Sequence, residues 1–99
     1  MQTGGNVYIL ASLDNKSLYV GVTSDLFGRV EKHKNKFYVN SYTSRKCISK
    51  LVYYESFETI TDAIVREKQL KKYSHLKKVL LIIALNPKWE DLHEKIRYV

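Results

Sequence analysis

The apolar residues of this chain fall first into two short runs with a polar break between them. Residues 6–10 and 17–22 are rich in Val, Ile, Leu and Tyr, and Leu13-Asp14-Asn15-Lys16 separates them with an Asp-Asn pair suited to a turn. This pattern predicts a β-hairpin. Thr23-Ser24-Asp25 then offers helix-capping side chains to a short helix over 26–33, where Leu26 and Val30 lie one turn apart and Gly28 is a mild weakness. Residues 35–49 are polar and basic without a clear period and read as a long loop. Residues 50–57 predict a third strand, and Thr59-Ile60-Thr61-Asp62 reads as the cap and first turn of a second helix reaching about Tyr73. A final helix starts near Ser74 and ends at Asn86-Pro87, because Pro87 disfavours helix at the residue before it and cannot continue one. Beyond it, Trp89, Leu92 and Ile96 suit a last short docked helix.

The element order is thus β-β-α-β-α-α, an α+β class, in one domain over 1–99 with its core at 6–92. With 44% hydrophobic and 27% charged residues, the composition excludes a disordered chain, and 99 residues can build only one core. The N-terminus lacks the basic start and apolar stretch of a signal peptide, and the apolar run over 79–85 is too short to span a bilayer, so a soluble, cytoplasmic protein with no membrane partner is expected. The single Cys47 forms no internal disulfide and begins no cysteine-based zinc site.

Charge adds a partner class. The chain carries 17 Lys and Arg against 10 Asp and Glu, a net +7, and 13 of the 17 lie at 29–50 and 66–78. Such a concentration favours a polyanion, although a solvated basic face has the same composition.

Three groups of residues could carry chemistry. A hairpin closed at Asp14-Asn15 sets Tyr8 opposite Gly21 and Leu10 opposite Tyr19, so both tyrosines and Gly21 line one face as a shallow phenol-lined pocket. Aromatic packing of a tyrosine-rich strand pair explains the same spacing. Glu67 falls within the apolar stripe of its helix, with Ala63, Ile64 and Leu70, so its carboxylate needs a cation: a basic residue such as Arg29, or a metal. Arg29 and His33, four apart, share a helix face able to hold a phosphate and move a proton, or simply to face solvent. His75 and His93 have no partners at metal-ligand spacing and read as surface residues.

Taken in order, Val7-Tyr8-Ile9, Tyr19-Val20-Gly21, Arg29 and Glu67 resemble the GIY-YIG nucleases. The likeness extends to Gly21-Val22-Thr23-Ser24-Asp25-Leu26, Glu31-Lys32-His33-Lys34, Leu51-Val52-Tyr53-Tyr54-Glu55, Arg66-Glu67-Lys68-Gln69-Leu70-Lys71-Lys72 and Asn86-Pro87-Lys88-Trp89, and it is to the small stand-alone bacterial branch. The resemblance implies a three-stranded antiparallel sheet flanked by helices. It also implies a Mg²⁺-dependent (or Mn²⁺-dependent) endonuclease that leaves a 5′-phosphate and a 3′-hydroxyl, of the kind used in DNA repair. Tyr8 would be the general base and Tyr19 would orient water and phosphate. Arg29 would stabilise charge on phosphorus, His33 would support the phosphate or a proton relay, and Glu67 would hold the metal. Gly21, Lys34, Arg45, Lys46, Lys71 and Lys72 are the expected contacts to nucleic acid, DNA before RNA.

The chain departs from the family pattern at Val7, Val20 and Val22, and at Lys46, where small relatives carry a tyrosine. Asn86 matches a family asparagine or caps the helix that Pro87 ends. The alternative is a DNA- or RNA-binding module that kept the fold without the cut, and a dimer is open to either.

Overall fold

The computed structural model describes residues 4–35 and 47–97. Strand β1 (Gly5–Ser12) lies at the centre of a three-stranded sheet, between β2 (Leu18–Thr23) and β3 (Ile48–Phe57), and both pairings are antiparallel. Helix α1 (Leu26–Lys34) packs on one face; α2 (Ile60–Lys71) and α3 (His75–Leu85) belong to the other, and a 3₁₀ turn follows at Glu94–Ile96. The expected order and three-stranded antiparallel sheet are present. No helix among the described residues is long and apolar enough to cross a membrane.

Burial on both sides explains why β1 reads as a nearly unbroken apolar run: every residue of it is buried. Alternation sends Val7, Ile9 and Ala11 to a cluster with Val20, Ala63, Leu70 and Ile82, and sends Tyr8 and Leu10 to a second cluster with Leu26, Val30, Leu51 and Ile96. The hairpin has the predicted register, Tyr8 opposite Gly21 and Leu10 opposite Tyr19. Its tip depends on Asp14, which accepts from Ser12 Oγ at 2.6 Å and Lys16 N at 3.1 Å, while Asn15 takes the left-handed conformation (φ 62°) that asparagine tolerates.

The caps also fall where the side chains suggest. Asp25 accepts from Gly28 N at 3.1 Å, Thr59 from Asp62 N at 3.1 Å and Ser74 from Lys77 N at 3.2 Å. Gly28 is a requirement as much as a weakness, because a Cβ there would lie 2.2 Å from the capping carboxylate. Residues 48 and 49, expected in the loop, begin β3; residues 36–46 of that expected loop lie outside the described residues.

The tail departs from a simple docked helix. Asn86 is buried and donates to Val52 O at 3.2 Å and Glu90 O at 2.8 Å, which fixes the turn after α3 to the strand beside it. Leu92 N then donates to Leu51 O at 2.8 Å, and Asp91 accepts from Leu51 N at 3.2 Å while pairing with Lys34. Trp89 packs on the aliphatic cluster and Ile96 on the Tyr8 cluster, so the tail wraps round the edge of β3.

Candidate active site

The register brings four of the expected residues together. Tyr8 and Tyr19 project from one face of the hairpin with ring centroids 6.4 Å apart, and His33, on the last turn of α1, lies 6.2 Å from the first ring and 5.6 Å from the second. The Tyr8 hydroxyl stands 3.4 Å from His33 Nε2, a long hydrogen bond. Gly21 makes this fit possible, since a Cβ on it would meet Tyr8 Cζ and Oη at 2.4 Å. The expected shallow pocket is instead a packed cluster: Tyr8 has no exposed surface, and only Tyr19 and Arg29 are half-buried.

Burial and the neighbouring Arg29 guanidinium together lower the pKa of His33 from its ordinary 6.5, so its ring is neutral at neutral pH. Arg29, one turn earlier on α1, has no carboxylate partner among the described residues. An unpaired cation beside a neutral imidazole and two phenols suits a phosphate group.

Glu67 stands apart. It lies on α2 with Ala63 and Leu70, residues that pack on the sheet face opposite Tyr8, and it shares no hydrogen bond or ion pair with the tyrosine cluster. Its carboxylate is about nine-tenths buried and pairs with Lys71 Nζ at 2.5 Å, one turn along the same helix, rather than with Arg29. β2 is a free edge of the sheet, and α2 packs against both β1 and β2. Among the described residues no three His, Cys, Asp or Glu side chains gather to enclose a metal. A single buried carboxylate still suits Mg²⁺, which keeps most of its waters and takes further oxygens from substrate phosphate.

The basic residues divide. Lys34 pairs with Asp91 and Lys71 with Glu67, whereas Lys72 is exposed at the end of α2. Arg45 and Lys46 lie outside the described residues. Asn86 is occupied as a structural tie. His93, expected at the surface, is only 3% exposed: it stacks on Phe27 at 4.3 Å, and Glu31 and Glu94 lie 3.3 and 3.8 Å from its ring nitrogens. His75 is exposed as expected.

A second ionic group had no signal in its own sequence neighbourhood. Arg66 reaches Glu55 on β3 at 3.0 Å and also Gln69 and Tyr73, while Tyr53 donates to the same carboxylate. Burial pulls Glu55 upward, but the hydrogen bonds from Arg66 and Tyr53 outweigh it and leave its pKa below the usual value; burial and Glu55 push the Tyr53 hydroxyl up to about 12.

Comparison with known proteins decides the family. The GIY-YIG catalytic domain matches residues 4–79, from the start of β1 into α3. The chain belongs to the GIY-YIG family. It is 42% identical over 76 residues to the UPF0213 proteins of Staphylococcus aureus strains COL and Mu50, a stretch covering 77% of this chain and 90% of theirs. It also resembles the solution NMR structure of the UPF0213 protein of Bacillus halodurans, with a TM-score of 0.56 and 29% identity over 93% of this chain and 96% of that one. GIY-YIG membership supports a nuclease-type function and a nucleic-acid partner in general terms.

Proposed function

We propose that this GIY-YIG chain is an endonuclease that hydrolyses a nucleic-acid phosphodiester, DNA before RNA, to a 5′-phosphate and a 3′-hydroxyl with Mg²⁺ or Mn²⁺. The observation that carries the reading is the approach of the Tyr8 hydroxyl to His33 Nε2 at 3.4 Å, behind the half-buried Tyr19 and Arg29. Arg29 binds the scissile phosphate and offsets charge building on its oxygens. Tyr19 orients the phosphate and the attacking water. The neutral His33 imidazole accepts the Tyr8 proton at Nε2, and the resulting phenolate takes a proton from the water as the water oxygen bonds to phosphorus, while the P–O3′ bond breaks and the 3′-oxygen leaves and takes up a proton from solvent as the 3′-hydroxyl. That transfer runs uphill, since an ordinary tyrosine has a pKa of about 10, so the Arg29 charge is needed to favour the phenolate. Glu67 would hold the metal once Lys71 releases it, and the ion when bound would supply a Lewis acid for phosphate oxygens.

Two observations favour a second reading, a binding module that kept the fold without the cut: Tyr8 is wholly buried, so its surroundings must move for water to touch it, and Glu67 already has a cation. A nicking assay on supercoiled plasmid with Mg²⁺ or Mn²⁺, beside Glu67→Ala and an EDTA control, separates them. Metal-dependent nicking lost in the variant supports the endonuclease; DNA binding without nicking by the parent protein supports the module.

A further inference from the structure

Beyond the tyrosine cluster, the same sheet face carries a cavity of about 270 Å³ at the N-terminal end of α1, between β1, β3 and the C-terminal turn. Asn6, Tyr54 and Ser56 form its strand wall, and Asp25, Phe27 and Arg97 line it from the helix start and the tail. Tyr54 lies directly opposite Tyr8 and Ser56 directly opposite Asn6, so the cavity and the cluster flank one another across a shared face.

Its polar groups are arranged for a ligand. Asn6 is only 6% exposed; its carbonyl oxygen accepts from Ser56 Oγ at 2.7 Å, while its amide nitrogen has no hydrogen-bond partner among the described residues. That nitrogen keeps accessible surface in a residue that lines the cavity, where an acceptor on a ligand could complete the amide. The Tyr54 hydroxyl likewise has no partner among the described residues, and one Asp25 oxygen caps α1 while the other stays open to hydrogen bonding. Donors and acceptors on one side of a small cavity, with Tyr54, Phe27 and a guanidinium as walls, match a flat heterocycle with a hydrogen-bonding edge.

We propose that this cavity is a subsite for one unpaired nucleobase of the nucleic-acid strand. Asn6 and Ser56 read the base edge, and its face lies against Tyr54 and against Arg97, which stands over the Phe27 ring. The assignment rests on the nuclease reading only for the identity of the strand. From Leu26 at the cavity to Arg29, α1 rises about 4.5 Å. One step between stacked nucleotides is about 3.4 Å, so a phosphate at Arg29 and a base in the cavity belong to neighbouring nucleotides of one strand.

The test needs no metal and no cutting. Labelled protein is titrated with each of the four 5′-mononucleotides, with ribose 5-phosphate, with an oligonucleotide carrying an unpaired base and with its fully paired counterpart. Expected are shifts of the Asn6 side-chain amide and of Phe27 and Ser56 with the mononucleotides and the unpaired base only. Asn6→Ala and Tyr54→Leu, each with its fold verified by the same spectra, should weaken mononucleotide binding by about tenfold. The proposal falls if ribose 5-phosphate reproduces the shifts, if the paired duplex moves the cavity equally, if only free mononucleotides enter, or if nothing does. Absence of nicking would instead count against hydrolysis and leave the subsite standing.

Discussion

The Tyr8 hydroxyl and His33 Nε2 lie 3.4 Å apart although 25 residues separate them in the chain. Each is set by a different rule: Tyr8 by strand alternation, which turns it onto the α1 face, and His33 by its place one turn after Arg29 on that helix. Tyr8→Phe removes the hydroxyl and little packing, so nicking should slow by about a hundredfold or more while the melting temperature stays near that of the parent. Single-turnover nicking and a thermal melt check both halves. A variant with the parental rate would remove Tyr8 from proton transfer.

The pKa of His33 should be measurable as a depressed imidazole midpoint in an NMR titration, below 6.5. A folded-state value under the unfolded one means that the neutral ring contributes its stability fully above about pH 6.5 and loses it as pH falls through the folded midpoint. Arg29→Gln should raise the midpoint without reaching 6.5, because burial is the larger cause and remains. An unmoved midpoint would mean that Arg29 does not act on the ring.

Lys71 and a metal compete for one carboxylate. Lys71→Met should therefore strengthen Mn²⁺ binding severalfold, and Glu67→Gln should abolish it, both read by the paramagnetic signal of free Mn²⁺. If Lys71→Met leaves binding unchanged, the 2.5 Å ion pair does not guard the site.

Arg66 ties α2 to β3 through Glu55, with each side chain about a quarter exposed. Arg66→Ala should destabilise the fold by about 2 kcal/mol, a fall of roughly 10 °C in melting temperature for a domain this small. The depressed pKa of Glu55 contributes stability present above its ordinary 4.5 and lost as pH falls through the folded value. Chemical denaturation between neutral and acidic pH should accordingly show a shallower acid loss in the variant.

Gly21→Ala tests the packing of the cluster. The added methyl would meet the Tyr8 ring, which is enclosed and cannot swing away, so a loss of about 1–3 kcal/mol is expected, together with loss of nicking. A variant of unchanged stability and rate would mean that the ring has room to spare.

Local chemistry made much of this visible in the chain: Asp14-Asn15 fixed the hairpin register, and Asp25, Thr59 and Ser74 marked the helix starts. What stayed hidden depends on pairing across long separations. Nothing near His93 announces that Phe27 will cover it, nothing near Lys34 points to Asp91 57 residues on, and Glu55 gives no sign of Arg66. The burial of Tyr8 was hidden for the same reason, since it needs β3 on the far side of β1 and α1 above both. Asn6 likewise gives no signal, because a lone polar residue at a strand start has no period.

The hairpin pairing also says what this protein can inherit. Side chains between Tyr8 and the turn could be exchanged for others of similar size, but their number could not change by one. A single lost codon in β1 would carry the tyrosine to the aliphatic side of the sheet, away from His33 and Arg29. The lineage is therefore expected to tolerate drift in composition along this strand and to be purged of changes in its length.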